Sequence, residues 1–287
     1  MKALFAASLL ALSLPLAAAE CSYPLNATQA EFSQLPFLDG WLRAPSVSGQ
    51  SIEFPLAVPA NGMLTRYGAF SSLGISAMSS SWGTATPSGD VSLPASGHAT
   101  IEMRIDSFPW TALSLPAQTA GLTLTVLTGN QQNTLEKTSL QLNAVVINSS
   151  NMGSGNFSVS INAEAVDNGN VQQVNRNYPF TPPVPVQSIG FRFNMDTREV
   201  GMSGDGTQYE IIRDTTGNPL RLPEGVTSVA LGLGGYLFNI NPAEPLIGTP
   251  LGATLITTIC ANSNNGGPLL PNGKPFPGKG KALGLQK

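Results

Sequence analysis

Apolar and polar residues alternate with a period of two along most of this chain, and nowhere more clearly than between Ile189 and Ile212. Ile189, Phe191, Phe193 and Met195 alternate with Gly190, Arg192, Asn194 and Asp196, the pattern of a strand that buries one face. Asp196-Thr197-Arg198 supplies a turn, Val200 and Met202 resume the alternation, Gly204-Asp205-Gly206 turns the chain again, and Tyr209 and Ile211 continue it. The segment therefore predicts a three-strand antiparallel meander, with Tyr209 and Ile211 facing inward on its third strand.

The same periodicity recurs on either side. Ile101, Met103 and Ile105 alternate with Glu102, Arg104 and Asp106; Leu122, Leu124 and Val126 alternate with threonines; Leu140 to Val146, Phe157 to Ala163, Val226 to Leu233 and Leu251 to Cys260 supply further strands. Ile52, Phe54, Leu56 and Val58 predict an edge strand, because Pro55 cannot donate to a ladder. Met63 to Phe70 and Gly74 to Met78 read as strands, and Ser79 to Gly83 and Pro87 to Asp90 as loops. Asp167-Asn168-Gly169-Asn170 marks a tight turn, and Pro179 to Pro185 an irregular crossing. One helix is expected near the start, where Thr28-Gln29-Ala30-Glu31 has the form of a capping box, Phe32 and Leu35 follow at helical spacing, and Pro36 ends the run. Ten to twelve strands in one chain require two stacked sheets or a barrel, so the fold class is all-β.

Composition changes this picture at the two ends. Lys2, the apolar run Ala3 to Leu16 and the small residues Ala17-Ala18-Ala19 have the form of a signal peptide, spanning residues 1–19 with cleavage after Ala19. The run is too short to serve as a membrane span. The β domain is expected over residues 20–261, and residues 262–287, rich in Gly, Pro and Asn with four lysines and no acid, read as a disordered tail. An exported chain with two cysteines is expected to pair them, Cys21 with Cys260. Glu20 immediately before Cys21 argues against lipid attachment there. The domain carries 17 acidic residues against nine basic ones, which disfavours nucleic acid as a partner.

The strand, turn and strand of IGFRFNMDTREVGMSG resemble the hairpin that recurs in concanavalin-like jelly rolls, the fold of many lectins, laminin-G-like modules and β-glucanases. The wider layout of signal, ECSYPLNATQAE, IEMRID, hairpin and late cysteine also resembles a family of uncharacterised exported bacterial proteins. The resemblance implies a two-sheet antiparallel jelly-roll sandwich and assigns no activity.

Candidate chemistry is sparse. The resemblance to glucanases would imply paired acids on one strand, yet Glu102-Met103-Arg104-Ile105-Asp106 has an arginine where the central acid should stand. Its outer carboxylates are about 13 Å apart along a strand, whereas hydrolysis needs about 5 to 9.5 Å; a surface charge ladder is the better reading. His98 is the single histidine, so no His-rich metal site and no supported Ser-His-Asp triad can be built. Asp167 and Asp205 are the places where a turn would hold calcium, although plain turns explain both. Asn26, Asn148 and Asn156 head formal glycosylation sequons.

Three tryptophans remain: Trp41, Trp82 and Trp110. Trp110 follows Phe108-Pro109 and is expected to pack. Any ligand site is expected on the loops rather than on the charged ladder, and Trp82, in a Ser-Gly setting with Asp90 nearby, is its candidate contact, with burial or anchoring of its own loop as the alternative. The sequence assigns no catalytic residue and no cofactor. The leading expectation is an exported binding or adhesive module for glycans at the cell surface, ahead of a ligand-free structural protein and, last, a glycoside hydrolase.

Overall fold

Two sheets stacked face to face hold almost every strand of the computed structural model, which describes residues 22–33, 42–81, 88–128, 138–151, 156–180, 186–204 and 210–259. Residues 1–21 and 260–287, which include Cys21 and Cys260, the expected signal peptide and the expected tail, lie outside the described residues, as do Trp41, Trp82, Asp205 and Tyr209. In chain order the elements are α1 (Gln29–Phe32), β1 (Leu42–Arg43), β2 (Ser46–Ser48), β3 (Ser51–Pro55), β4 (Leu64–Phe70), α2 (Ser72–Ser81), β5 (Val91–Ser92), β6 (His98–Ser107), β7 (Thr119–Leu127), β8 (Ser139–Ser149), β9 (Phe157–Asp167), β10 (Asn170–Phe180), β11 (Ser188–Asn194), β12 (Glu199–Ser203), β13 (Glu210–Ile211), β14 (Ser228–Phe238) and β15 (Pro250–Thr257). The first sheet runs β1-β4-β14-β7-β8-β9-β10, with β5 beside the start of β14. The second runs β13-β12-β11-β6-β15-β3-β2. All pairings are antiparallel except that of the two-residue β1 with β4. The result is a two-sheet antiparallel sandwich, one of the two arrangements the alternation allows and the jelly-roll type that the resemblance implies.

Alternation places the core between the sheets. Leu122, Leu124 and Val126 of β7 and Leu142, Ala144 and Val146 of β8 point inward from the first sheet, towards Ile101 and Met103 of β6 and Phe191 and Phe193 of β11; all are essentially inaccessible to solvent. Burying side chains such as Phe191 contributes about 1.5–3 kcal/mol each relative to leaving them in water. Between β9 and β10 the two-residue turn needs positive φ at both central positions, and Asn168 (φ 46°) and Gly169 (φ 86°) supply it.

The meander forms as the pattern indicates, β11 pairing β12 and β12 pairing β13. Its third strand is displaced by one position from the expected phase. Gly201 lies opposite Ile211, so Ile212 sits beneath Val200 and is buried while Ile211 is half-buried. A one-residue slip exchanges the two faces of a strand.

Four other expectations are corrected. Gly74 to Met78 is not a strand, and Ser79 to Ser81 is not a loop, because both belong to α2. The Ser71 hydroxyl accepts the Gly74 amide at 2.7 Å, as an N-cap residue does, and Ile75 and Met78 then share one buried face. The strand with Pro55 is second from the edge, since β2 pairs with Ser51 to Glu53. Pro55 lies beyond the last of those pairs, where its missing amide disturbs no ladder. Pro179 lies inside β10 rather than in a crossing, and β10 tolerates it as the sheet's edge strand. The capping box of α1 forms, with Thr28 N–H donating to Glu31 at 2.6 Å and Glu31 N–H donating to the Thr28 hydroxyl at 3.4 Å.

Candidate functional site

The outward positions of the first sheet hold the residues that the alternation leaves polar, and strand register aligns them across the sheet. One row runs Phe70, Gly232, Thr125, Asn143, Asn162, Asn175 from β4 to β10. Beside it lie Leu127, Gln141, Glu164 and Gln173, and on its other side Gly68, Gly234, Thr123, Val145, Ser160 and Asn177. Neighbouring members of a row are about 4.8 Å apart, the spacing between strands.

Helices close one end of this face. Phe32 of α1 and Ile75 and Met78 of α2 pack on Phe70, Leu127 and Ala230, forming a second small core on the outer side of the sheet. Phe32 meets Phe70 edge-on, with ring centroids 6.1 Å apart at 72°. Past the helices the face opens into a groove of about 380 Å³ lined by Arg66, Tyr236, Thr123, Thr125, Gln141 and Asn143 among others. A second hollow, sharing Gln141 and Asn143, continues it over β9 and β10. A third, sharing Arg66 and Tyr236, continues it towards Leu64, Ile147 and Phe238.

Glycine gives this groove its depth. The Phe70 ring lies over Gly232, where an added Cβ would fall 2.4 Å from the ring, and the Tyr236 ring lies over Gly121, where it would fall 2.7 Å away. Tyr236 presents a half-buried ring whose phenol burial pushes up to about 12, so its hydroxyl stays protonated and can both donate and accept. The amides are tethered. Thr125 Oγ1 donates to Asn143 Oδ1 at 3.0 Å, Asn162 Nδ2 to Ser160 Oγ at 3.3 Å, and Gln173 Nε2 to Glu164 Oε2 at 2.7 Å. Each leaves further donors or acceptors facing the groove.

Among the described residues no aspartate or glutamate lines the central groove or its extension towards Phe238, and the extension over β9 and β10 holds a single acid, Glu164. On the opposite sheet Arg104 Nε donates to Asp106 at 2.9 Å and Ser203 Oγ to Glu102 at 2.7 Å. These carboxylates hold a charge ladder together, as the sequence pattern indicates.

Of the residues singled out in the sequence, Asp90 is placed in the fold and not on its surface. Its carboxylate accepts from the Tyr23 hydroxyl at 2.9 Å and from the Ser71 hydroxyl, and it is only 7% exposed. Burial pushes its carboxyl upward, partly offset by those two hydrogen bonds. The cluster fixes the N-terminus of α2 to the chain start and is remote in role from the groove. Asp167 sits at the β9–β10 turn, accepting from the Asn168 amide at 3.1 Å. Among the described residues no three His, Cys, Asp or Glu side chains gather as a metal site requires. His98 is exposed at the start of β6. Trp110 packs as expected, 4.8 Å from Phe108 and 6.0 Å from Phe157 between ring centroids. Asn148 is fully buried, its side-chain amide donating to the Pro109 and Thr111 carbonyls. Among the described residues no helix is long and apolar enough to cross a membrane.

The groove residues were missed because outward polar positions look alike one strand at a time. A signal existed: Gln141 and Asn143, Asn162 and Glu164, and Gln173 and Asn175 are outward pairs at the same spacing on three consecutive strands. Reading it requires the register, which the hairpin turns set.

No family model matches the chain, and no curated protein matches it. Solved structures similar to it include an immunostimulatory antigen and pseudo β-1,3-glucanase of Mycobacterium tuberculosis, at 10% identity over 74% of this chain and 75% of that one, with a TM-score of 0.35. A β-1,3-glucanase from Mycobacterium marinum matches at 14% identity over 73% and 72%, with a TM-score of 0.33. A tetrameric galectin from the sponge Cinachyrella sp. matches at 13% identity over 57% of this chain and 94% of that one, with a TM-score of 0.25. No residue role is carried over from them.

Proposed function

We propose that this protein is an exported glycan-binding module whose ligand lies across the outer face of the first sheet. The observation that carries the reading is the groove itself, with aligned rows of amides and hydroxyls on its floor and the Tyr236 ring at its side. Sugar hydroxyls need paired donors and acceptors at fixed spacing, which Asn, Gln and Thr provide, and an apolar ring face, which an aromatic side chain provides. The form of residues 1–19 supports export.

Binding is favoured over hydrolysis by the charge of the groove. Glycoside cleavage by the common route uses two carboxyl groups about 5 to 9.5 Å apart, and the described lining offers one acid, Glu164, already bonded to Gln173. The test is retention on an array of immobilised oligosaccharides, compared with an Asn143→Ala, Asn162→Ala double variant. Retention that falls in the double variant supports the reading; retention of no glycan, or equal retention by both proteins, refutes it.

A further inference from the structure

The hollow towards Phe238 differs in chemistry from the rest of the face. Leu64 and Phe238 are paired across β4 and β14, and Ile147 lies nearby on β8; with Thr119 and Ser149, bonded to each other at 3.0 Å, they line a mainly apolar hollow of about 480 Å³. Phe238 is 37% exposed, which is unusual for a large ring on a strand that otherwise buries its apolar side chains. One residue pair back, about 7 Å along the strands, Arg66 lies opposite Tyr236. Arg66 lines both the amide groove and the apolar hollow, it is exposed, and among the described residues its guanidinium has no hydrogen-bond or ion-pair partner. Among the described residues neither hollow has an acid in its lining to neutralise it.

Polar floor, free cation and apolar end therefore follow one another along a single continuous surface. We propose that the ligand of this face is an acidic glycolipid: sugars over the amide rows, an oxyanion at Arg66, and the start of an acyl chain against Leu64, Ile147 and Phe238. The inference rests on the glycan reading for the placement of the sugars and adds the anionic and apolar parts. An arginine fork matches phosphate and carboxylate oxygens alike, while the apolar hollow gains by covering surface that water now meets. A neutral polysaccharide would leave both Arg66 and Phe238 without a use.

The test isolates the added parts by using probes without sugar. Isothermal titration calorimetry of the mature protein would compare monomeric dodecyl phosphate, dodecanoate and an uncharged dodecyl polyethylene glycol ether, each below its micelle concentration. Both anions should bind about tenfold more tightly than the ether, the worth of one charge-assisted hydrogen-bond pair, and the tighter anion identifies the natural linkage. Arg66→Gln should erase the preference for anions, Arg66→Lys should keep part of it, and Phe238→Ser should weaken all three probes. The proposal is overturned if no probe binds, if the ether binds as tightly as the anions, if Arg66→Gln keeps the preference, or if Phe238→Ser changes nothing. Unchanged melting curves would show that the variants are folded. Oligosaccharide retention by the wild-type protein is measured separately, so loss of the glycolipid proposal and loss of the glycan reading are distinct results.

Discussion

At the scale of single residues, the first sheet is organised by glycines that let other groups approach. A Cβ on Gly234 would lie 2.3 Å from the carbonyl oxygen of Tyr67 on the adjacent strand. Backbone cannot yield as a side-chain tip can, so β4 and β14 would have to separate. Gly234→Ala is expected to destabilise the fold by about 1–3 kcal/mol, the usual cost of forced overpacking, read as a lower urea midpoint; an unchanged midpoint would contradict the tight approach. Tyr236 makes the complementary case. Its ring is half-buried over Gly121 and presents one face to the groove. Tyr236→Ala should weaken glycan binding by about 0.5–1.5 kcal/mol, the worth of an aromatic contact beyond its area, and titration with any glycan retained on the array would measure it.

At the scale of elements, α2 shows where alternation misleads. Gly-Ile-Ser-Ala-Met satisfies a period of two over five residues, yet Ile75 and Met78 are also three apart, and the capping bond at Ser71 and the apolar patch of Phe70, Leu127 and Ala230 decide for the helix. Short runs fit both periods, whereas the eleven-residue strands β8, β9 and β14 do not. The sandwich and the meander were therefore legible in the sequence. The groove was not, because it depends on which outward residues become neighbours across strands. The same helix carries a prediction about pH. Asp90 reaches its N-cap, Ser71, and burial raises the carboxyl in the folded protein. The folded state then keeps a proton that the unfolded chain has lost, so stability falls as pH rises from the ordinary carboxylate range through the raised value. Across about pH 3.5 to 7 the melting midpoint of the wild type should fall relative to that of Asp90→Asn as pH rises, a comparison that cancels the downward-shifted carboxyls of Glu31, Asp214 and Glu244. An equal slope in the variant would mean that another group controls the titration.

At the scale of the whole molecule, the two outer faces divide the work. The second sheet carries its charges as an internal ladder, with Thr254 Oγ1 bonded to Ser51 at 2.6 Å and also to Asp106, while the first sheet leaves its amides and Arg66 turned to the groove. The ends of the described chain converge behind that division. Gln50 accepts the Tyr23 amide through its side chain at 2.6 Å and the Leu255 amide through its backbone carbonyl at 3.0 Å. Cys21 stands two residues before Tyr23, and Cys260 five after Leu255, so a bridge between them would close a loop that already returns to one point. On the chain-entropy account, a loop of this length stabilises by about 5 kcal/mol, less if the native geometry is strained. Mass spectrometry of the protein, alkylated without reductant, is expected to show neither thiol modified, and reduction is expected to lower the melting midpoint. Alkylation of both cysteines in the unreduced protein would exclude the bridge and leave the convergence at Gln50 to hydrogen bonds alone.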